Sequence, residues 1–271
     1  MIVLNPRRIA AVLLGIVAVL VAASSAGQLI FYYAGHDHAF GFVPRFSLVQ
    51  EANVPTWYSS TTLLVCAVLL GLVARVEREA GSRFALHWKV LALLFLYLSV
   101  DEAAELHELL IEPLRGSLNA GGLFHFAWVV PAIALLAVLG LAYARFLVHL
   151  PASTRRLFIM AAATFVGGAV GAEMVGGAWV ESRGFHNLGS VLIWTVEESL
   201  EMLGIVVFVY ALLHHLQLRG AAITFLVRSG GEGADDRSTA DGGFRLHRSP
   251  RNPDGEVDKV GPVLHAPRIP R

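Results

Sequence analysis

The sequence predicts an all-α polytopic membrane bundle of six transmembrane helices with a disordered C-terminal tail. Three observations carry this reading. Hydrophobic residues fill 55% of the 271 positions and charged residues only 15%, with a mean hydropathy of +0.61. Soluble domains carry about 25% charged residues. The apolar residues gather into six runs, at 10–33, 56–75, 89–110, 124–147, 157–180 and 188–213. Each approaches the ~20 residues that a helix needs to cross a ~30 Å hydrocarbon core. Finally, Lys and Arg alternate in abundance from one connection to the next.

The first run opens with Arg7 and Arg8 and passes Ala-Ser-Ser-Ala26 without ending. Apolar residues continue through Tyr33, longer than a cleaved leader requires, so the run reads as a retained anchor. The connection after it, 35–55, holds His36, His38, Glu51 and Asn53, and reads as a solvated loop. Pro55 suits the first turn of the second run, and Trp57 and Tyr58 suit a membrane interface. Pro131 in the fourth run is a candidate kink. In the fifth, Gly167 and Gly171 form a small-xxx-small pair that admits a close neighbour.

With the N-terminus inside, eleven basic residues flank the inner ends (Arg7, Arg8, Arg75, Arg78, Arg83, Lys89, Arg145, Arg155, Arg156, Arg219, Arg228). Only Arg45, Arg115 and Arg183 lie outside. This positive-inside bias predicts cytoplasmic termini in a bacterial inner membrane. Residues 1–217 form the six-helix transmembrane domain. Residues 218–271 form a cytoplasmic tail, rich in Gly, Pro, Arg and Asp, with the composition of disorder. The formal net charge is zero, so nothing points to nucleic acid as a partner. A single cysteine, Cys66, excludes an internal disulfide and any multi-cysteine metal site.

The chemistry concentrates in two acidic stretches. Leu98–Leu110 reads LSVDEAAELHELL, placing Asp101, Glu102, Glu105, His107 and Glu108 inside the third run. In the helix expected over that run, Asp101, Glu105 and Glu108 share an arc of about 60°, while His107 lies about 120° away. The sixth run contains Glu197, Glu198 and Glu201, and Glu173 is embedded in the fifth. A rise of about 1.5 Å per residue brings these acids to overlapping depths, lining one cleft open to the outer side.

Apart from Lys89 at an inner edge, no Lys or Arg lies in those three runs. Like charges so placed cannot all ionise, so the acids call for a cation or for shared protons. Three readings stay open. A divalent metal ion, held by carboxylates and His107, satisfies the charge directly. A proton or cation pathway uses the same residues as a relay. Alternatively, protonated acids join helices through Ser99, Trp194, Thr195 and Ser199. The first two imply partners in the bilayer: a cation or proton to bind or transport.

Glu51-Ala-Asn53-Val-Pro55-Thr-Trp57, Leu98-Ser99-Val-Asp101-Glu102 through His107-Glu108, and Glu197-Glu198-Ser-Leu-Glu201-Met-Leu-Gly204 together resemble a family of uncharacterised bacterial six-span membrane proteins. The resemblance covers residues 1–217 and implies no activity. A looser likeness is to alkaline-ceramidase-like membrane hydrolases, which set Ser, Asp and His on seven transmembrane helices around zinc. It implies, as an alternative, a metal-dependent intramembrane hydrolase, although this chain has six spans in place of seven and lacks the late paired intramembrane histidines. A metal held by the acids leaves an oxidase open as well.

Overall fold

A computed structural model describes residues 5–36, 38–223 and 246–248. Its helices begin where short polar side chains cap them. Asn5 accepts from the amide of Arg7 at 3.0 Å and starts α1 (Pro6–Ala34), with Pro6 in the first turn. Gly35, at φ 67°, ends it. After a short helix, α2 (Phe42–Phe46), Asn53 accepts from the amide of Thr56 at 3.2 Å and starts α3 (Val54–Glu79). A tight turn leads into α4 (Ala85–Ala104), antiparallel to α3. The two are joined toward the start of α3 and the end of α4 by reciprocal bonds, Ser60 Oγ to Ser99 O at 2.7 Å and Ser99 Oγ to Ser60 O at 2.8 Å.

A 3₁₀ turn and α5 (Ile111–Leu118) follow, then α6 (Val129–His149). Pro131 falls in the first turn of α6, where no backbone bond to an earlier carbonyl is lost, so it introduces no kink. Next come α7 (Ala152–Val166), a π-helical segment (Gly167–Ala172) and α8 (Glu173–Arg183) as one continuous rod. Asn187 caps α9 (Leu188–Leu218), accepting from Ser190 N at 3.1 Å and from Trp179 Nε1 at 2.8 Å.

Among the described residues, five segments are long and apolar enough to cross a membrane: α1, α3, α6, the α7–α8 rod and α9. The expected third span is not among them, because α4 ends early and carries Lys89, Asp101 and Glu102 within 20 residues. A short antiparallel pair, Ala221–Ile223 with Leu246–Arg248, lies beyond α9. The expectation of a disordered tail over 218–271 otherwise falls outside the described residues.

Helix α9 is the central post. Its C-terminal half supplies Ile205, Phe208, Val209, Leu212 and Leu216 to a core shared with α3, α4 and α7. On another side Met202 and Val206 meet Val17 and Leu20 of α1. Glycines set the closest approaches. A Cβ at Gly204 would lie 2.7 Å from Phe165 N, and one at Gly168 would lie 2.7 Å from Glu197 O. The expected pair, Gly167 and Gly171, meets nothing within 4 Å. The π segment widens the turn, and Gly168 is the glycine that faces α9.

At the end of the bundle formed by the C-terminal ends of α3 and α9, a polar network is buried at its centre. Glu77 is 2% exposed, and His215 and Thr154 are 0% exposed. His215 Nε2 lies 3.2 Å from Glu77 Oε1, its Nδ1 lies 3.4 Å from Thr154 Oγ1, and Arg219 pairs with the same Glu77 carboxylate. This ties α3, α7 and α9 together beneath Trp88, which stacks obliquely on His215 at 4.9 Å.

Candidate functional site

The site begins where α4 stops. Glu105 takes a left-handed conformation, φ 53°, in place of the Gly or Asn usual at such a position. The chain then folds back. Asp101 Oδ1 accepts from the His107 amide at 2.9 Å, and Asp101 Oδ2 lies 3.1 Å from His107 Nδ1. The continuous helix expected through 89–110 is therefore not formed, and Asp101, Glu105 and Glu108 are not a column on one face. His107, about 120° from that column in a continuous helix, is held directly by Asp101.

Glu51 enters from the other side. Its loop is pinned by Leu48 N donating to Ser24 Oγ at 2.9 Å and by Asn53 Nδ2 donating to Ser47 O at 2.7 Å. Glu51, His107 and Glu108 each offer a ligating atom, and these atoms lie within 4.8 Å of one another. The sequence reading passed over Glu51 as a loop residue. The signal for it was its place two residues before the Asn53 cap, which fixes the loop's direction into α3.

The His107 ring packs on Trp128 at 4.7 Å, and Trp128 Nε1 donates to Glu173 Oε1 at 2.8 Å. Contacts thus run from Asp101 through His107 and Trp128 to Glu173, the first residue after the π segment. On α9, Glu197 is 8% exposed; no N–H or hydroxyl donates to its Oε2, and its side-chain hydrogen-bond partner is the Glu173 carboxyl. The backbone of Glu197 and the Cγ of Glu201 both lie against Gly168.

All nine residues expected from the sequence (Asp101, Glu102, Glu105, His107, Glu108, Glu173, Glu197, Glu198 and Glu201) line one cavity of about 1100 Å³, and Glu51 joins them. Among the described residues no Lys or Arg lines it. The acids occupy one end. The remainder is an apolar arm between α4 and α6, floored by α7 and α9, with Phe95, Leu98, Leu136, Leu139, Gly140 and Phe158 in its wall. Helices α4 and α6 close on each other at the arm's far end, where Tyr143 Oη donates to His87 O at 3.0 Å and Trp88 meets Phe146 at 4.9 Å.

Glu51 also borders a second recess of about 620 Å³, which includes His38, Arg45 and Trp57. Glu51 is exposed by surface area, but protein crowds its carboxyl. That burial, with the negative charges of Glu108 and Glu102, pushes the carboxyl up to about 7, against the opposing effect of His107.

The hydroxyls suggested as helix-joining partners of the acids are engaged elsewhere. Ser99 bonds Ser60, Thr195 Oγ1 donates to Val191 O at 2.7 Å, and Ser199 Oγ donates to Thr195 O at 2.6 Å.

A family model described as a domain of unknown function (DUF8692) matches residues 12–216, and the chain belongs to that family. No curated protein and no solved structure matches the chain.

Proposed function

We propose that this DUF8692 member is an integral membrane protein that binds a divalent cation at the mouth of its acidic cavity. Glu51, His107 and Glu108 would hold the ion, with Asp101 behind the imidazole. The observation carrying this reading is the convergence of three ligating atoms within 4.8 Å on a histidine whose Nδ1 is already engaged by a carboxylate. Metal-bound histidines characteristically have such a partner, which fixes ring orientation and tautomer. Two carboxylates and one imidazole suit Zn, Fe or Mn more than Ca. The deeper acids, Glu102, Glu173, Glu197, Glu198 and Glu201, then share protons or offer a second cation a path inward, which makes transport part of the proposal.

Topologically, we count α4 as a sixth span whose charged end lies at the cavity. Both chain ends then lie on the cytoplasmic side of a bacterial inner membrane, as the Lys and Arg distribution favours. A second reading has its own support. Three protein ligands beside a large cavity leave coordination positions open, the pattern of a catalytic centre. A bound metal would there lower the pKa of a water for hydrolysis, with a free carboxylate such as Glu102 or Glu198 as base.

Elemental analysis of the purified protein tests the proposal. Near-stoichiometric metal, lost in Glu51→Gln and His107→Ala variants that remain folded, is the expected result. Metal content that is absent, or unchanged by both substitutions, overturns it. Cation uptake into vesicles, abolished by Glu201→Gln, separates transport from a static or catalytic site.

A further inference from the structure

The cavity is larger than an ion needs, and its two ends differ in kind. One end is ringed by nine carboxylates (Glu51, Asp101, Glu102, Glu105, Glu108, Glu173, Glu197, Glu198 and Glu201) without a lining Lys or Arg. The other is a hydrocarbon-lined arm between α4 and α6. At about 1100 Å³ the whole lies just above the ~300–1,000 Å³ usual for small-molecule sites. An apolar arm this size has no use for a hydrated ion, whereas an acidic end repels the head of an anionic lipid.

Within the acidic end Glu197 supplies an independent sign of a ligand. It is 8% exposed and lines the cavity, no N–H or hydroxyl donates to its Oε2, and the side chain hydrogen-bonded to it is another acid, Glu173. Buried carboxylate oxygens are rarely left so, since an unmet buried acceptor costs ~1–3 kcal/mol. An ammonium group in the cavity supplies the missing donors and the missing positive charge together. Gly140, on the arm's wall, has nothing within 4 Å of where a Cβ would sit, so the arm has free width midway along α6.

We infer that the cavity takes a cationic amphiphile, an amine-headed molecule whose ammonium group meets Glu197 and its neighbouring acids while its hydrocarbon tail lies between α4 and α6. This rests on the acidic cavity proposed above as a cation site and names the class of its second occupant.

Trp128 and Trp194 line the cavity and report on it. The protein in nanodiscs is titrated with three probes bearing the same brominated C12 tail: an alkylamine, an alcohol and a carboxylate. The expected result is a saturable quench by the amine only. Gly140→Leu, whose Cβ meets nothing within 4 Å, should narrow the arm and remove that saturable component. Glu197→Gln should weaken it about tenfold, the loss of one charge-assisted hydrogen bond.

Equal quenching by all three probes, or no saturable component for the amine, overturns the inference. So does amine quenching that survives Gly140→Leu. Metal content measured on the same samples keeps the two readings apart. Gly140→Leu should retain the ion while losing the amphiphile, whereas a metal-free protein that still binds amine sinks only the metal site.

Discussion

Asp101 grips His107 at two points six residues further along the chain, the backbone amide at 2.9 Å and Nδ1 at 3.1 Å. A single carboxylate thereby ends α4, turns the chain and fixes which imidazole nitrogen is left free. Asp101→Asn keeps the size of the side chain but removes its charge. It should weaken metal affinity by about 10–100-fold, as loss of a ligand's supporting carboxylate usually does. Metal titration of the stripped protein measures it, and an unchanged affinity would sever Asp101 from the site.

The Glu51 carboxyl gives the site a pH signature. Its folded value, about 7, lies above the ordinary 4.5, so the folded state holds a proton there that the unfolded chain has released between those values. For the metal-free protein this contribution to stability is full below about 4.5 and disappears as pH rises through about 7. Bound metal requires the deprotonated carboxylate, so the melting temperature gained by adding metal should grow from pH 5.5 to pH 8. Glu51→Gln should flatten both trends. Melting curves across that range, with and without metal, decide it.

Gly168 and Gly171 make a matched pair of tests. An alanine at 168 would place its Cβ 2.7 Å from Glu197 O, while one at 171 meets nothing within 4 Å. Gly168→Ala should destabilise by about 1–3 kcal/mol through overpacking. Gly171→Ala should be neutral or mildly stabilising. Equal melting temperatures for the two would mean that α9 does not approach the π segment as described.

The enclosed Glu77–His215 pair should be the most sensitive polar contact outside the cavity. His215→Ala removes a hydrogen bond from the buried Glu77 carboxylate, which keeps Arg219, and leaves a cavity beside Trp88. It should destabilise by about 2–3 kcal/mol and lower the melting temperature. Thr154→Val, which removes a long 3.4 Å contact, should cost about 1 kcal/mol. Because the network lies far from the acidic end, metal content per folded molecule should stay unchanged in both variants.

The sequence made the helices legible wherever a hydrophobic run met a cap. Asn5, Asn53 and Asn187 lie at or near the expected starts and bond the amides that such caps satisfy. The meeting of the acids was also legible, because helical rise alone brings residues 101, 173 and 197 to comparable heights. The break at Glu105 was not. Nothing in LSVDEAAELHELL disfavours a helix locally, and the stop comes from Asp101 bonding His107 in preference to continued winding. Glu51 was hidden by its distance of 50 residues from Asp101 along the chain. Glu77 was masked by Arg75, Arg78 and Glu79, which made it read as part of a solvated helix end.

The wide turn at Gly167–Ala172 sets the azimuth of everything after it. Rewound to α-helical pitch at the same chain length, it would carry Glu173 about 100° around the rod axis and off the Trp128 indole. Removing one residue from the segment would instead be absorbed, leaving Glu173 facing Trp128. Chain length between Phe165 and Glu173 and the state of that turn are therefore two settings of one rotary alignment.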